Sequence, residues 1–141
     1  MLVPSIGINL IISMKNCFCG KSQSYEDCCG ALHSGKRVAQ TAEELMRSRY
    51  SAFAVADVDY ILRTYAPETR PNSERAEIKQ WAASVMWLGL QVLSSQEGES
   101  GDLEGRVKFK ALYSEAGKIH EMVEDSFFRF EKGEWFYVDG K

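Results

Sequence analysis

All four cysteines of the chain lie between positions 17 and 29, in the pattern Cys17-x-Cys19-x₈-Cys28-Cys29, and none follows. A disulfide scaffold would distribute its crosslinks over the folded core. This arrangement leaves the core without any crosslink, which is typical of a reducing compartment. We therefore expect a cytoplasmic protein.

Two pairs of thiolates that one tight loop brings together can form a tetrahedral site with four sulfur ligands. Thiolate sulfur favours Zn²⁺ among the common divalent ions, and four protein ligands leave no position open for substrate. The spacing therefore predicts a structural Zn²⁺ ion bound by Cys17, Cys19, Cys28 and Cys29.

Other uses of the same cysteines stay open at this point. An iron–sulfur cluster also takes four cysteines, and His33 could replace Cys29 as the fourth ligand. A disulfide within either closely spaced pair would close a small, strained ring. Crossed pairs do not suit a core that lacks crosslinks.

Composition narrows the choice of partner. The chain has 141 residues, 45% of them hydrophobic, which is enough for one domain with a small appendage. It contains no apolar run of about 18 residues that could span a membrane. A formal net charge of -3 is unsuited to non-specific nucleic-acid binding, which needs clustered cations.

Residues 1–14 are uncharged and contain no recognisable motif. They lack the basic start and small-residue cleavage site of a signal peptide. We interpret residues 1–14 as an N-terminal extension in which residues 1–13 are not native and translation starts at Met14. The alternative is a short N-terminal strand that packs on the domain.

Residues 31–40 are interpreted as a linker with a turn at Ser34-Gly35. Thr41 and Glu44 then form the pattern of a capping box, which predicts the start of a helix. Asp57 is the expected N-cap of a second helix through Tyr65. A third helix is predicted over residues 74–83. Four strands are predicted after it, over residues 87–97, 106–115, 119–131 and 134–139.

Helices followed by an antiparallel meander predict an α+β domain over residues 41–141.

The cysteine segment of residues 15–30 resembles the SEC-C motif, whose usual form is CPCGSGKKYKKCCG. The matching residues are Cys17-Phe18-Cys19-Gly20, Tyr25 and Cys28-Cys29-Gly30. The match extends to four downstream segments: His33-x-Gly35, Met46-Arg47-Ser48-Arg49-Tyr50-Ser51-Ala52-Phe53, Asp57-Val58-Asp59-Tyr60 and Trp135-Phe136-Tyr137-Val138-Asp139-Gly140. On these residues the chain is identified as a member of the YchJ family, also called UPF0225. This resemblance covers about residues 15–140 and implies an NTF2-like domain, a cone of helices packed on a curved antiparallel sheet.

The motif departs from its usual form around the ligands. Phe18 replaces proline, residues 21–23 replace Ser-Gly-Lys, and Glu26 and Asp27 stand where lysine is common. In the SecA translocase this motif is associated with binding the SecB chaperone and the ribosome. Because the basic residues are missing here, we do not expect that role.

A cone of this kind often holds a pocket between its helices and sheet. Candidate lining residues are Arg49, Tyr50, Trp81, Trp87, His120, Glu124 and Ser126. His120, Glu124 and Ser126 share one face of a strand, and Arg49 is a candidate ion-pair partner for Glu124. A histidine beside aromatic residues is more often structural than catalytic, so we expect no catalytic site.

The favoured function is therefore a protein-binding adaptor with a structural zinc site. Its partner-binding loop would comprise Lys21, Ser22, Gln23 and Tyr25. The alternative is a small-ligand binder or an enzyme that uses the cavity. The zinc segment is too small to bury a core of its own. We therefore expect the metal to hold this segment together, and residues 41–141 to fold independently of it.

Overall fold

A computed structural model describes residues 16–141. The predicted extension, its alternative as a strand and the start at Met14 lie outside the described residues. Within them, four α-helices precede four strands: α1 (Cys29–His33), α2 (Ala42–Ala54), α3 (Val58–Arg63), α4 (Arg75–Ser84), β1 (Met86–Glu97), β2 (Glu104–Glu115), β3 (Lys118–Glu131) and β4 (Glu134–Gly140). The predicted α+β class is confirmed.

Helix α2 is the central helix of the fold, and it begins as predicted. The side chain of Thr41 accepts a hydrogen bond from the amide of Glu44 at 3.0 Å. The Glu44 carboxylate accepts from the amide of Gln40 at 2.7 Å, one residue earlier than a standard capping box requires. The amide of Ala42 donates to the Gly98 carbonyl at 2.9 Å, which ties the start of α2 to the loop between β1 and β2.

Helix α3 begins at the predicted N-cap, where Asp57 accepts from the amide of Tyr60 at 3.1 Å. It ends at Arg63, before the predicted end at Tyr65. The following residues pair with β4 instead: the amide of Tyr137 donates to the Thr64 carbonyl at 2.8 Å, and its carbonyl accepts from Ala66 at 2.7 Å. These bonds to β4 take the place of another helical turn.

The four strands form one antiparallel meander in the order β1-β2-β3-β4. The β1–β2 register shifts twice, and the β3–β4 register once, between Phe127 and Phe128. Irregularities of this kind bend a sheet. The inner face packs against α2 through a core that includes Val107, Ala111, Phe128 and Trp135.

Residues 31–40 pack against the domain, although a linker was expected there. The turn at Ser34-Gly35 is present, but α1 extends through His33. Leu32 and Ala39 join the main hydrophobic core, because α1 packs beside α2. None of the described helices is long and apolar enough to cross a membrane.

Candidate functional site

The four cysteine sulfurs lie within 4.8 Å of one another. All four residues are buried, with Cys19 fully so. The sulfurs of Cys19 and Cys28 are 3.7 Å apart, too far for a disulfide bond of about 2.05 Å. Tetrahedral zinc with bonds of about 2.3 Å separates its sulfur ligands by about 3.8 Å. The donor set and its spacing therefore fit a metal ion.

Tight backbone turns build this cluster. The amide of Cys17 donates to the Gln23 carbonyl at 2.8 Å, and the amide of Gly20 to the Cys17 carbonyl at 3.0 Å. Gly20 has a φ of 93°, which favours glycine. At Gly30, an added Cβ would lie 2.7 Å from the Tyr25 carbonyl oxygen, so only glycine fits without a backbone shift.

The four thiols affect one another's ionisation in this buried cluster. Burial and the neighbouring cysteines raise the pKa of the Cys28 thiol to about 12. Hydrogen bonds with Cys17 and Cys19 raise the pKa of Cys29, whereas hydrogen bonds from Cys19 and Cys29 lower that of Cys17. Four thiolates cannot ionise together in a buried space without a positive charge, so metal binding must release protons.

The cysteine segment is attached directly to α2. Nη1 of Arg47 donates to the Cys19 carbonyl at 2.6 Å, and the Cys17 sulfur lies 3.6 Å from the Ser51 hydroxyl. Leu90 of β1 packs against the cysteines. The expected independence of this segment is therefore not supported by its contacts, which join it to the main domain.

His33 braces the same junction and lies outside the cysteine cluster. Its Nε2 is 2.8 Å from the Ser48 carbonyl, which can only accept, so Nε2 carries a proton. Nδ1 then accepts from the Tyr25 hydroxyl at 2.7 Å. Because both ring nitrogens are engaged within the protein, the alternative with His33 as a metal ligand is not supported.

The residues expected to contact a partner differ in accessibility. Lys21, Ser22 and Gln23 are exposed, whereas Tyr25 is half-buried and its hydroxyl is bonded to His33. Phe18, which sequence analysis did not select as a contact residue, is 46% exposed. Three of the four candidates are thus available at the surface, and Tyr25 has a structural contact.

A cavity of about 190 Å³ lies between α2, α4 and the inner face of the sheet. Its lining is mainly aromatic and includes six of the seven residues expected there: Arg49, Tyr50, Trp81, Trp87, Glu124 and Ser126. Sequence analysis missed the rest of the lining: Met46, Phe53, Tyr65, Phe109, Ala111, Met122, Phe128 and Tyr137.

His120 is not among the lining residues, so its expected place in the cavity is wrong. It is exposed and stacks on Tyr113 with ring centroids 5.2 Å apart. The two residues pair close to the β2–β3 turn. The alternation of side chains along β3 put His120 on the same face as Glu124 and Ser126. His120 is nevertheless too close to the start of β3 to reach the cavity.

Arg49 is a buried cation in the lining of the cavity, with 7% exposure. Its Nη1 donates to the Ile61 carbonyl at 2.8 Å and to the Thr64 hydroxyl at 2.7 Å. The guanidinium carbon lies 4.5 Å from the ring centroid of Tyr65 and 4.4 Å from that of Tyr137. Burial lowers the pKa of Arg49.

Glu124 supplies a carboxylate to the same cavity. Its Oε2 accepts from the Ser126 hydroxyl at 2.7 Å and from the Tyr137 hydroxyl at 2.8 Å. Burial and this carboxylate raise the pKa of Tyr137. The expected ion pair between Arg49 and Glu124 is absent from residues 16–141, because each contacts Tyr137 instead.

The sequence did carry a signal that Tyr137 lines the cavity, because Trp135 and Tyr137 are two residues apart on β4 and so share one face of the sheet. Both point to the inner face, and Trp135 is buried. Among residues 16–141, the lining of the assembled cavity has an aromatic wall, the cation of Arg49 and the carboxylate of Glu124, and no histidine or cysteine.

Comparisons with known proteins agree with these features. Residues 41–140 match the family model described as the YchJ middle NTF2-like domain. A UPF0225 protein of Bordetella pertussis is 45% identical over 130 residues, covering 91% of this chain and 93% of the relative. A UPF0225 protein of Streptomyces coelicolor is 43% identical over 127 residues, covering 89% and 94%.

Two solved structures of SEC-C motif proteins are similar to the chain. The solution structure of the Rhodopseudomonas palustris protein has a TM-score of 0.80 and 38% identity, covering 89% of this chain and 97% of that one. The crystal structure of the Psychrobacter arcticus protein has a TM-score of 0.77 and 28% identity, covering 92% and 83%.

Proposed function

The chain belongs to the YchJ family of UPF0225 proteins, and from that premise we propose that it is a small binding protein with a structural Zn²⁺ ion. Four buried cysteine sulfurs within 4.8 Å of one another carry this proposal. Thiolate ligands favour zinc among common divalent ions.

The ion would have a structural role, because four protein ligands complete its coordination. It would hold the cysteine segment and the start of α1 against α2, where Arg47 and Ser51 make contacts with this segment. The four unbridged cysteines favour a reducing compartment, and we propose the cytoplasm.

Elemental analysis of freshly purified, reduced protein tests the metal. We expect one zinc ion per chain and a loss of zinc in Cys28→Ser, because one thiolate is removed. Ser22→Ala is the matched control, since Ser22 is exposed on the same segment. A metal ratio near zero would refute the zinc assignment, and the visible absorption of an iron–sulfur cluster would replace it.

The binding function is proposed to lie in the cavity between α2, α4 and the sheet. Its aromatic lining, with Arg49 and Glu124 as polar groups, is typical of a small-ligand site. Binding is favoured over catalysis because the Ser126 hydroxyl already donates to Glu124, and the described part of the lining offers no histidine or cysteine.

Cavity binding is tested with small aromatic probes by calorimetry and by ligand-induced shifts in amide resonances. Ala111→Leu extends a side chain from a fully buried residue that lines the cavity, and we expect it to block binding. Ala83→Leu makes the same change at an exposed position of α4 and should leave binding intact. Equal binding by the two variants would contradict a site in the cavity.

A protein-binding role for the cysteine segment is the second candidate. Phe18 is 46% exposed near the exposed residues Lys21, Ser22 and Gln23. An exposed aromatic ring with polar neighbours is a common anchor at protein interfaces. Capture of the same defined partner by the wild type and by Phe18→Ser would refute this role, whereas its loss in Phe18→Ser but not in Ala111→Leu would support it.

A further inference from the structure

Arg49 has hydrogen-bonding capacity that the protein does not use. This inference rests on the proposed binding function of the cavity and concerns the chemistry of its ligand. No carboxylate in residues 16–141 lies within 4.0 Å of the Arg49 nitrogens. Within the described residues, Nη1 donates to Ile61 and Thr64, and Nε and Nη2 have no hydrogen-bond partner. Neither Nε nor Nη2 is a fully enclosed unpaired atom, and Arg49 belongs to the lining of the cavity.

The two unused nitrogens define the geometry of what could bind. Nε and Nη2 lie on one edge of the planar guanidinium, where their parallel N–H groups match the two oxygens of a carboxylate. The rings of Tyr65 and Tyr137 pack on the guanidinium, and Nη1 is fixed by its two acceptors. Arg49 is therefore held in one orientation before any ligand arrives.

The apolar part of the cavity sets the size of the ligand. Its volume is about 190 Å³, whereas a buried apolar cavity of about 150 Å³ is enough to bind benzene. Pockets for drug-sized ligands start at about 300 Å³. One ring with one small polar group fits this space, against a wall that includes Phe53, Trp81 and Trp87.

Glu124 adds a limit on ligand charge. It lines the same cavity, and its Oε2 is already bonded to Ser126 and Tyr137. A ligand with one carboxylate can place that group on Arg49. A second carboxylate would meet the like charge of Glu124 without a cation to balance it.

We propose that the cavity binds a single-ring aromatic monocarboxylate, with its carboxylate on the Nε–Nη2 edge of Arg49 and its ring against the aromatic wall.

Titration calorimetry on the full, zinc-loaded chain tests this with three probes that differ at one substituent. Benzoate carries one carboxylate, benzamide is its neutral counterpart, and terephthalate carries a second carboxylate. We expect benzoate to bind at least tenfold more tightly than either of the others. Arg49→Met, which retains an unbranched apolar side chain, should abolish the preference for benzoate over benzamide.

Glu124→Gln keeps the test decisive if Arg49→Met does not fold. The amide preserves the shape and can still accept the hydrogen bonds of Ser126 and Tyr137, but it removes the negative charge. We expect it to tighten benzoate binding several-fold and to reduce the discrimination against terephthalate. Glu121→Gln is the matched control, because Glu121 is exposed on the same strand and should change neither.

The possible outcomes separate this inference from the proposed function beneath it. Equal affinity for benzoate and benzamide would overturn the carboxylate inference and leave the cavity as a ligand site. Failure of both probes, and of every other small aromatic compound, would overturn the cavity function as well. Unchanged selectivity in Glu124→Gln would contradict the charge argument.

Discussion

The contact between Arg47 and the cysteine segment gives a measurable link between the proposed metal site and the stability of the domain. Nη1 of Arg47 donates to the Cys19 carbonyl at 2.6 Å, and its Nε pairs with Glu43 at 2.9 Å. The Arg47 side chain is 17% exposed, and Cys19 is fully buried. Arg47→Met would keep most of the apolar stem and remove both polar contacts.

The expected loss follows from these two contacts. A hydrogen bond from a charged donor contributes about 1.5–3 kcal/mol to stability, and a helical ion pair one turn apart adds about 0.3–0.5 kcal/mol. We therefore expect Arg47→Met to lower the free energy of unfolding by about 2 kcal/mol. For a domain of this size that corresponds to a fall in Tm of roughly 8 °C.

Urea unfolding followed by tryptophan fluorescence measures the stability, and transfer of zinc to a chromogenic chelator measures metal retention. If the lost contact opens the site, zinc should leave about thirtyfold faster, since each 1.36 kcal/mol is a factor of ten. Arg75→Met is the control, because Arg75 and Asp59 form an exposed pair that contributes about 0–1 kcal/mol. Equal stability and equal zinc loss in the two variants would refute the reasoning.

Three further results are expected. Gly30→Ala should weaken zinc retention, because the added Cβ would clash with the Tyr25 carbonyl. Gly89→Ala should leave zinc retention unchanged, because its Cβ would meet none of the described atoms within 4 Å. A zinc-retention assay compares the two variants. Burial raises the pKa of Tyr50 to about 12, above the value of about 10 for an unfolded tyrosine. The unfolding free energy, measured in urea, should therefore hold below pH 10 and fall as pH rises from 10 to 12, with a smaller fall in Tyr50→Phe. Chelation should lower the unfolding midpoint reported by tryptophan fluorescence, because the cysteine segment contacts α2; an unchanged midpoint would restore the independent segment expected from sequence.

Local features of this chain were readable from its sequence because the atoms concerned are close along the chain. The Thr41 and Asp57 caps each depend on an amide three residues away, and both were predicted. The four cysteines were identified because their spacing is confined to one loop. The order of α2, α3, α4 and the four strands followed from hydrophobic periodicity and helix-boundary signals, whereas α1 was not predicted.

The errors concern contacts between distant segments. The Arg49–Glu124 pair was expected from two residues, but Tyr137 on β4 contacts both, and its position depends on a register shift at Phe127 that no pattern encodes. His120 was misplaced because strand parity gives the face of a residue but not its distance along the sheet. Segment independence was expected because the cysteine segment is too short to bury a core. Its contacts with Arg47 and Ser51 join residues far apart in the sequence, which local patterns do not reveal.

Helix α2 connects the two proposed sites through residues that alternate around its surface. Arg47, Ser48 and Ser51 contact the cysteine segment or its brace at His33. Met46, Arg49, Tyr50 and Phe53 line the cavity. Residues three and four apart share a helix face, so each set forms its own stripe on one rigid element. The proposed metal ion would fix the first stripe and, through the same helix, the position of the second, including the Arg49 guanidinium. This geometry gives the proposed structural metal a role in positioning the cavity.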